Sequence, residues 1–497
     1  MKPTFAPYQQ LLKRAREISL LAGAADLLAW DQETYMPPRA LDFRAAQLAR
    51  LGGMTHRLFT APAVGRWIAA CEDLGYPADS DEAANVREWR RAYDRQTKVP
   101  AALVEEFQRV KSLAREAWLE ARRRAEFPVF RPHLEKVLDL SRRVADCWGY
   151  QESPYDALLD EYEPGARVRD LKTLFAELRP AIVELAGAAA EQSRRVPENL
   201  LRGRYPVERQ QEFNREVAEA IGFNFEAGRV DATAHPFCTT LGPRDCRLTT
   251  RYDETNFASS LYGILHEAGH GLYDQGLPTD HYGTPLGSFV SLGIHESQSR
   301  LWENHVGRSL AFWERWHPCA CHYFPHLKKL SPAQITAAVN RVRPSFIRVE
   351  ADQVTYDLHI ILRFEIETQL VEGRLAVADV PAAWNENFEK MLGLKVPNDA
   401  QGCLQDIHWS MGGLGYFPTY TLGNLNAAQL MRAARRANRR LDKKLAAGDY
   451  APLLEWLRAN VHRHGRRWKA PELMRRATGE VTQARHHLCY LKEKFGN

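Results

Sequence analysis

His266-Glu267-Ala268-Gly269-His270 is the stretch whose residue types and spacing could do chemistry. Imidazoles four residues apart on a helix lie about 40° apart around its axis, so both can reach one metal ion. The glutamate between them falls beside that face, where its carboxylate can take a proton from an activated water. This is the pattern of metal-assisted hydrolysis, and five-residue matches of this kind also arise by chance, so the surrounding helix carries the weight. Asp253 to Asn256 form a capping cluster and Gly276 a stop. Phe257, Leu261, Ile264, Leu265, Ala268 and Leu272 make an apolar stripe, while Ser259 and Gly263 keep the ligand face open.

A hydrolytic site needs a third protein ligand and an open position. The extended HExxHxxGxxH pattern fails, because Tyr273 and Gly276 stand at its glycine and histidine places. The next helical stretch, GSFVSLGIHESQSRLWENHVGRSL, offers His295, Glu296 and Glu303. A carboxylate some twenty to thirty residues on is the common solution. Glu296 is preferred over Glu303, which suits a solvated or salt-bridged position as well. His295 stays a live competitor on spacing alone.

The elements that must hold these residues are mostly helices. Apolar residues recur at three- and four-residue spacing over 102–125, 134–147, 166–195, 206–221, 346–372, 427–447 and 471–494. Strands are expected only in 235–252, HPFCTTLGPRDCRLTTRY, around a Gly242-Pro243 turn. The reading is a mainly α chain with one small antiparallel β ribbon before the HExxH helix. It forms a single helical unit over 1–497, with its catalytic core at about 230–425. An edge strand there could pair with substrate backbone, with His235 and Arg247 near its ends; a hairpin that merely packs on the helices would read the same way. Gly402 to Asn426 is dense in glycine, with Trp409, Tyr416, Phe417 and Tyr420 interleaved, as where backbone passes close to a ligand or makes a tight turn. Trp302, Trp313 and Trp316 read as packing residues.

Composition narrows the class. The chain has 497 residues, 45% of them hydrophobic and 26% charged, which excludes a disordered or collagenous protein. Lys+Arg 67 against Asp+Glu 62 leaves +5, weak support for nucleic-acid binding. The basic run Arg432 to Lys444 lacks the interleaved aromatics of a nucleic-acid module and reads as a solvated face or dimer contact. Eight cysteines with no CxxC pair point to a reducing compartment, the cytoplasm. No apolar signal segment opens the chain, and the run Leu20 to Trp30, broken by Asp26, is too short for a membrane span.

Five dispersed motifs, in one order, carry a resemblance. His266-Glu267-x-x-His270 with His295-Glu296-Ser297-Gln298 resembles the carboxypeptidase Taq family of zinc metallocarboxypeptidases. Asp245-x-Arg247-x-Thr249 is similar to its DxRxT, Ile347-Arg348-x-x-Ala351-Asp352 to its IRxxAD, and Gly402-x-x-Gln405-Asp406-x-His408-Trp409 to its GxxQDxHW. Trp30-Asp31-Gln32-Glu33-Thr34-x-Met36-Pro37 resembles its N-terminal WDQxTxMP signature.

The resemblance implies a nearly all-helical protein with a deep groove, commonly a homodimer, that removes C-terminal residues from peptides. It implies His266, His270 and Glu296 as zinc ligands, choosing Glu296 over His295, and Glu267 as general base. Cobalt suits the same His/His/Glu set. Arg348 would hold the substrate's terminal carboxylate, and His408 and Tyr420 would stabilise the oxyanion, with Tyr416 the neighbouring alternative in the same loop. An arginine fork suits a carboxylate because it makes two parallel hydrogen bonds. Arg348 is expected early in a helix beginning near Ser345, with Asp352 one turn on, either pairing with its charge or orienting it. An oligopeptidase or peptidyl-dipeptidase with the same zinc helix is the alternative enzyme. A helical interaction protein with a relict motif is the non-enzymatic one.

Overall fold

The computed structural model describes residues 6–496, and helices dominate them. The periodic stretches become Ala101–Arg124, Phe127–Trp148, Val168–Ser193 and Val207–Ala220, each burying the apolar face that its spacing marks. Two expected long helices are broken. The stretch 427–447 splits at Asn438 into Pro418–Ala437 and Leu441–Ala446. The stretch 471–494 splits after Thr478, where Gly479 turns at φ 97°; periodicity survives such a turn and so does not reveal it.

The ribbon is a three-stranded sheet. Strands β1 (Gly228–Ala232), β2 (Cys238–Gly242) and β3 (Asp245–Thr250) lie in the order β1-β3-β2. β2 pairs with β3 antiparallel, as the Gly242-Pro243 turn requires, while β1 adds a parallel edge. GRVDA is too short and too weakly alternating to be read as a strand from its residues.

The large apolar side chains fall into three clusters. One gathers the helices of 101–193 with the helix Tyr356–Val371. A second surrounds the HExxH helix, and Trp302, Trp313 and Trp316 are buried in it, as packing residues should be. The third joins the first helix, Ala6–Thr34, to residues 59–93. The site lies where the first two clusters face each other across a cleft. No helix among the described residues is long and apolar enough to cross a membrane.

Candidate active site

The HExxH helix runs Phe257–Asp274 and buries Phe257, Leu261, Ile264, Leu265, Ala268 and Leu272, the stripe read from the sequence. Its partner is the helix Leu292–Arg300, started by the Ser291 hydroxyl, which accepts from the Ile294 N–H at 3.2 Å. The two helices touch at Gly269, where a Cβ would lie 2.6 Å from the Gln298 carbonyl oxygen and the Ser299 Cα. On the other side, a Cβ at Gly423 of helix Pro418–Ala437 would lie 2.7 Å from the Glu296 Cβ. Small residues on both sides thus press Glu296 toward the histidines, a contact that any larger side chain would push apart.

Glu296 Oε2 stands 3.5 Å from His266 Nε2 and 3.4 Å from His270 Nε2. One ligand atom from each of the three residues falls within a 4.8 Å cluster. Ligands at zinc-like bond lengths of about 2.0–2.2 Å in a tetrahedron are about 3.3–3.5 Å apart, so this donor set fits such an ion as it stands. The flanking contacts also fit. His266 Nδ1 lies 3.0 Å from Glu303 Oε2, and Arg300 Nε donates to Glu296 Oε1 at 2.7 Å. A ligating histidine with its second nitrogen on a carboxylate is the usual way to fix its ring. Glu303 reaches back because the chain widens into a π-helical segment, Leu301–Gly307, immediately after the Glu296 helix. His295 points elsewhere: its ring stacks on His270 at 4.4 Å, and its Nε2 lies 3.0 Å from Asp274 Oδ1.

Charge around this cluster is arranged to hold a cation. Burial works to discharge His266, yet Glu296, Glu303 and Glu267 together hold its imidazolium up to about 9. Burial and the neighbouring His295 push His270 down to about 4, leaving its nitrogen free to donate a lone pair. Burial alone would lift Glu296, but Arg300 and the two histidines overcome it and keep it ionised. At Glu267 burial, helped by the neighbouring Glu296, outweighs the pull of His266 and carries its carboxyl up to about 7.

His266, Glu267, Glu296, Arg348 and Tyr420 line one cleft of ≈ 980 Å³. Arg348 is reached differently from the sequence expectation. It sits in a 3₁₀ turn, Arg348–Glu350, and the helix starts only at Tyr356. The backbone N–H of Arg348 is tied to Gln405 Oε1 at 2.8 Å, and Asp352 caps the later helix by accepting from the N–H groups of Val354 and Thr355. The expected Arg348–Asp352 pairing is therefore replaced. Asp406 Oδ1 receives both Nε and Nη2 of Arg348 at 3.1 and 2.9 Å, while Nη1 donates to the Tyr356 hydroxyl at 2.9 Å. Asp406 Oδ2 takes Arg363 Nε at 2.7 Å, and the two guanidinium groups hold this buried carboxyl far below its ordinary range.

Of the two loop tyrosines, Tyr420 is the one on the cleft wall, its ring centroid 4.9 Å from the Arg348 guanidinium carbon. His408 and Tyr416 lie outside the lining residues, with ring centroids 6.5 and 5.5 Å from that of Tyr420. Burial pushes His408 down to about 4, so its ring is neutral near pH 7. The loop that carries them is pinned by buried Glu367, which accepts from Trp409 Nε1 at 2.8 Å and from the Gly415 N–H at 3.0 Å. Of the two ribbon residues, His235 is exposed beside the lining residue Pro236. Arg247 faces away, its guanidinium over Trp30 at 4.2 Å and paired with Asp245 at 3.0 Å. Arg300, Tyr356 and Asp406 complete the cleft surroundings without having been assigned roles from the sequence, although Arg300 stands one turn after Glu296 and Asp406 falls within the GxxQDxHW match; Glu303, weighed there as a third ligand, holds His266 Nδ1 instead.

The Glu296 helix has a second support with a consequence for pH. Buried Glu163 accepts from the Gly293 N–H in the first turn of that helix. Burial lifts its carboxyl from 4.5 to about 8, although Ser291 and Gly293 pull the other way. A carboxyl raised in the folded state keeps its proton while the unfolded chain loses it. Stability from this group is therefore full below pH 4.5 and is lost as pH rises toward 8. Glu163→Gln should flatten the fall of Tm across that window, with a relative gain at its alkaline end on the order of a few kcal/mol. An unchanged slope would show that Glu163 ionises freely.

A family model for carboxypeptidase Taq (M32) metallopeptidases matches residues 10–495. Thermostable carboxypeptidase 1 of Thermus thermophilus is 45% identical over 99% of this chain and 98% of its own. Carboxypeptidase 1 of Bacillus subtilis is 37% identical over 98% and 97%. The crystal structure of an M32 carboxypeptidase from Deinococcus radiodurans R1 superposes with a TM-score of 0.96 at 41% identity, covering 99% of both chains. Whole-length agreement in sequence and fold, around a cleft that joins an HExxH helix to a buried arginine, makes this chain a member of the carboxypeptidase Taq (M32) family of metallocarboxypeptidases, enzymes that hydrolyse peptides.

Proposed function

We propose that this metallocarboxypeptidase uses zinc, held by His266, His270 and Glu296, to release single residues of broad side-chain type from peptides with a free C-terminus. The observation that carries the reading is the convergence of both Nε2 atoms on Glu296 Oε2, in a cleft that also exposes Arg348. A divalent ion bound there supplies Lewis acidity and lowers the pKa of water toward about 7. Glu267 takes the proton of the attacking water and passes it to the departing amine. Arg348, held flat by Asp406 and Tyr356, binds the terminal carboxylate and so sets the last peptide bond against Glu267. Tyr420 donates its hydroxyl to the oxyanion. His408, neutral and on the same loop, and Tyr416 stand behind Tyr420 and position its ring. His235 and Arg247, at the ribbon, act on the chain upstream, the exposed His235 by direct contact and Arg247 by bracing β3.

Zinc and the choice of third ligand have one test. Dialysis against a chelator should abolish peptidase activity, and Zn²⁺ or Co²⁺ should restore it. Glu296→Ala should cost bound metal outright, whereas Glu303→Gln and His295→Ala should keep it with affinity lowered by roughly 10–100-fold at most. Metal retained by Glu296→Ala and lost by His295→Ala would overturn the assignment.

A homodimer is supported by the apolar surface of the first two helices, where Leu20 and Phe43 are 75% and 72% exposed. A cytoplasmic location is supported by eight cysteines that are all free thiols.

A further inference from the structure

Cys238 and Cys246 lie behind the HExxH helix, on β2 and β3, with Sγ atoms 3.7 Å apart. The register pairs Cys238 with Leu248 and Thr240 with Cys246, so the two cysteines are diagonal neighbours on one face of the ribbon. Thr240, on that face, donates its hydroxyl to Asp274 Oδ2 at 2.6 Å. Asp274 is the last residue of the HExxH helix, and its other oxygen is held by His295 Nε2 at 3.0 Å. One donor atom from each of Cys238, Cys246 and Asp274 lies within 4.8 Å of the others.

Two cysteines this close could form a disulfide or share an ion, and their placement separates the two. Diagonal residues on antiparallel strands have Cα atoms about 7–8 Å apart, beyond the span that an unstrained disulfide bridges. Two thiolates on a tetrahedral zinc, at about 2.3 Å each, stand about 3.8 Å apart. The observed 3.7 Å, a thiol–thiol hydrogen bond in the metal-free protein, already stands at the second spacing. The carboxylate completes a set of two soft donors and one hard one, which suits zinc and its heavier congener cadmium. Cys246 is buried, and Cys238 is partly exposed, so an ion would enter from the Cys238 side.

We propose that Cys238, Cys246 and Asp274 form a second metal site, for Zn²⁺ or Cd²⁺, which clamps β2 and β3 to the C-terminal end of the HExxH helix. Binding releases the two thiol protons to solvent, so occupancy rises with pH. The site is separate from the His266, His270 and Glu296 cluster and does not depend on the roles proposed for it.

The test titrates the full-length chain with Cd²⁺ alone, following bound metal by mass spectrometry and thiolate-to-cadmium charge transfer in the ultraviolet. The wild type should take up a second equivalent and show the band. Cys238→Ser and Cys246→Ser should each lose that equivalent and the band, while the protein loaded with zinc keeps its peptidase activity. His270→Ala, which weakens the first cluster, should keep the band, which then cannot come from that cluster, and the activity kept by the serine variants shows that they fold. Uptake that stops at one equivalent with no band would overturn the proposal. So would a band that survives in both serine variants, or a Cys238–Cys246 cross-link in the mass map of the purified protein.

Discussion

Glu267→Gln is expected to lower kcat by roughly 10²–10⁴-fold while leaving bound metal and KM little changed. The substitution is nearly isosteric, so the packing of this buried position survives. What disappears is the one carboxylate of the HExxH motif, a cleft-lining group that burial has lifted to about 7. A carboxyl poised there accepts a proton readily and gives it back to an amine, whereas an amide does neither. Activity carried by the Glu267 carboxylate grows as pH rises through its pKa. The residual activity of the glutamine variant should therefore lose that acid limb of the kcat/KM profile. A variant with near-normal kcat, or one whose loss traces to missing metal, would remove Glu267 from the role of base.

Arg348→Ala is the second large effect. Arg348 is only 5% exposed, yet it lines the cleft with its guanidinium plane held by Asp406 and Tyr356. Removing a buried guanidinium that pairs with a carboxylate costs about 2–5 kcal/mol, so kcat/KM for peptides with a free C-terminus should fall roughly 30- to 5,000-fold. Hydrolysis of the same peptides ending in an amide, slow in the parent enzyme, should be nearly unaffected. The two substrates should thus become alike. Arg348→Lys should recover only part of the loss, because a point charge replaces a planar fork. Lost packing alone would slow both substrates equally, and a Tm measurement on each variant separates that outcome from the expected one.

The parts of this site that were legible from residues are the ones built by local spacing. His266, Glu267 and His270 share one turn, and their helix shows its caps and stripe openly. The Glu296 helix was legible too, but three candidate ligands on it could not be ranked by spacing. Their fates depend on tertiary contacts: His295 is taken by the His270 ring and Asp274, and Glu303 by His266 Nδ1. Arg348 shows the limit most clearly. A helical period across 346–372 suggested Asp352 as its neighbour, but the chain turns instead, because Gln405 and the Asp352 cap compete successfully for the backbone. Its real partner, Asp406, lies 58 positions away, and no periodicity reports such a contact. The short parallel strand β1 was hidden for a related reason, since its pairing with β3 is not with a chain neighbour across a turn.

Whether this cleft reads a chain end is tested directly by one digestion. A peptide is offered as the free acid and as the C-terminal amide, and products are timed by mass spectrometry with and without chelator. The free acid should shorten one residue at a time, the amide should persist, and chelator should stop the ladder. Equal cleavage of the two forms, or internal fragments appearing before single-residue losses, would contradict the assignment of Arg348 as the reader of a terminal carboxylate.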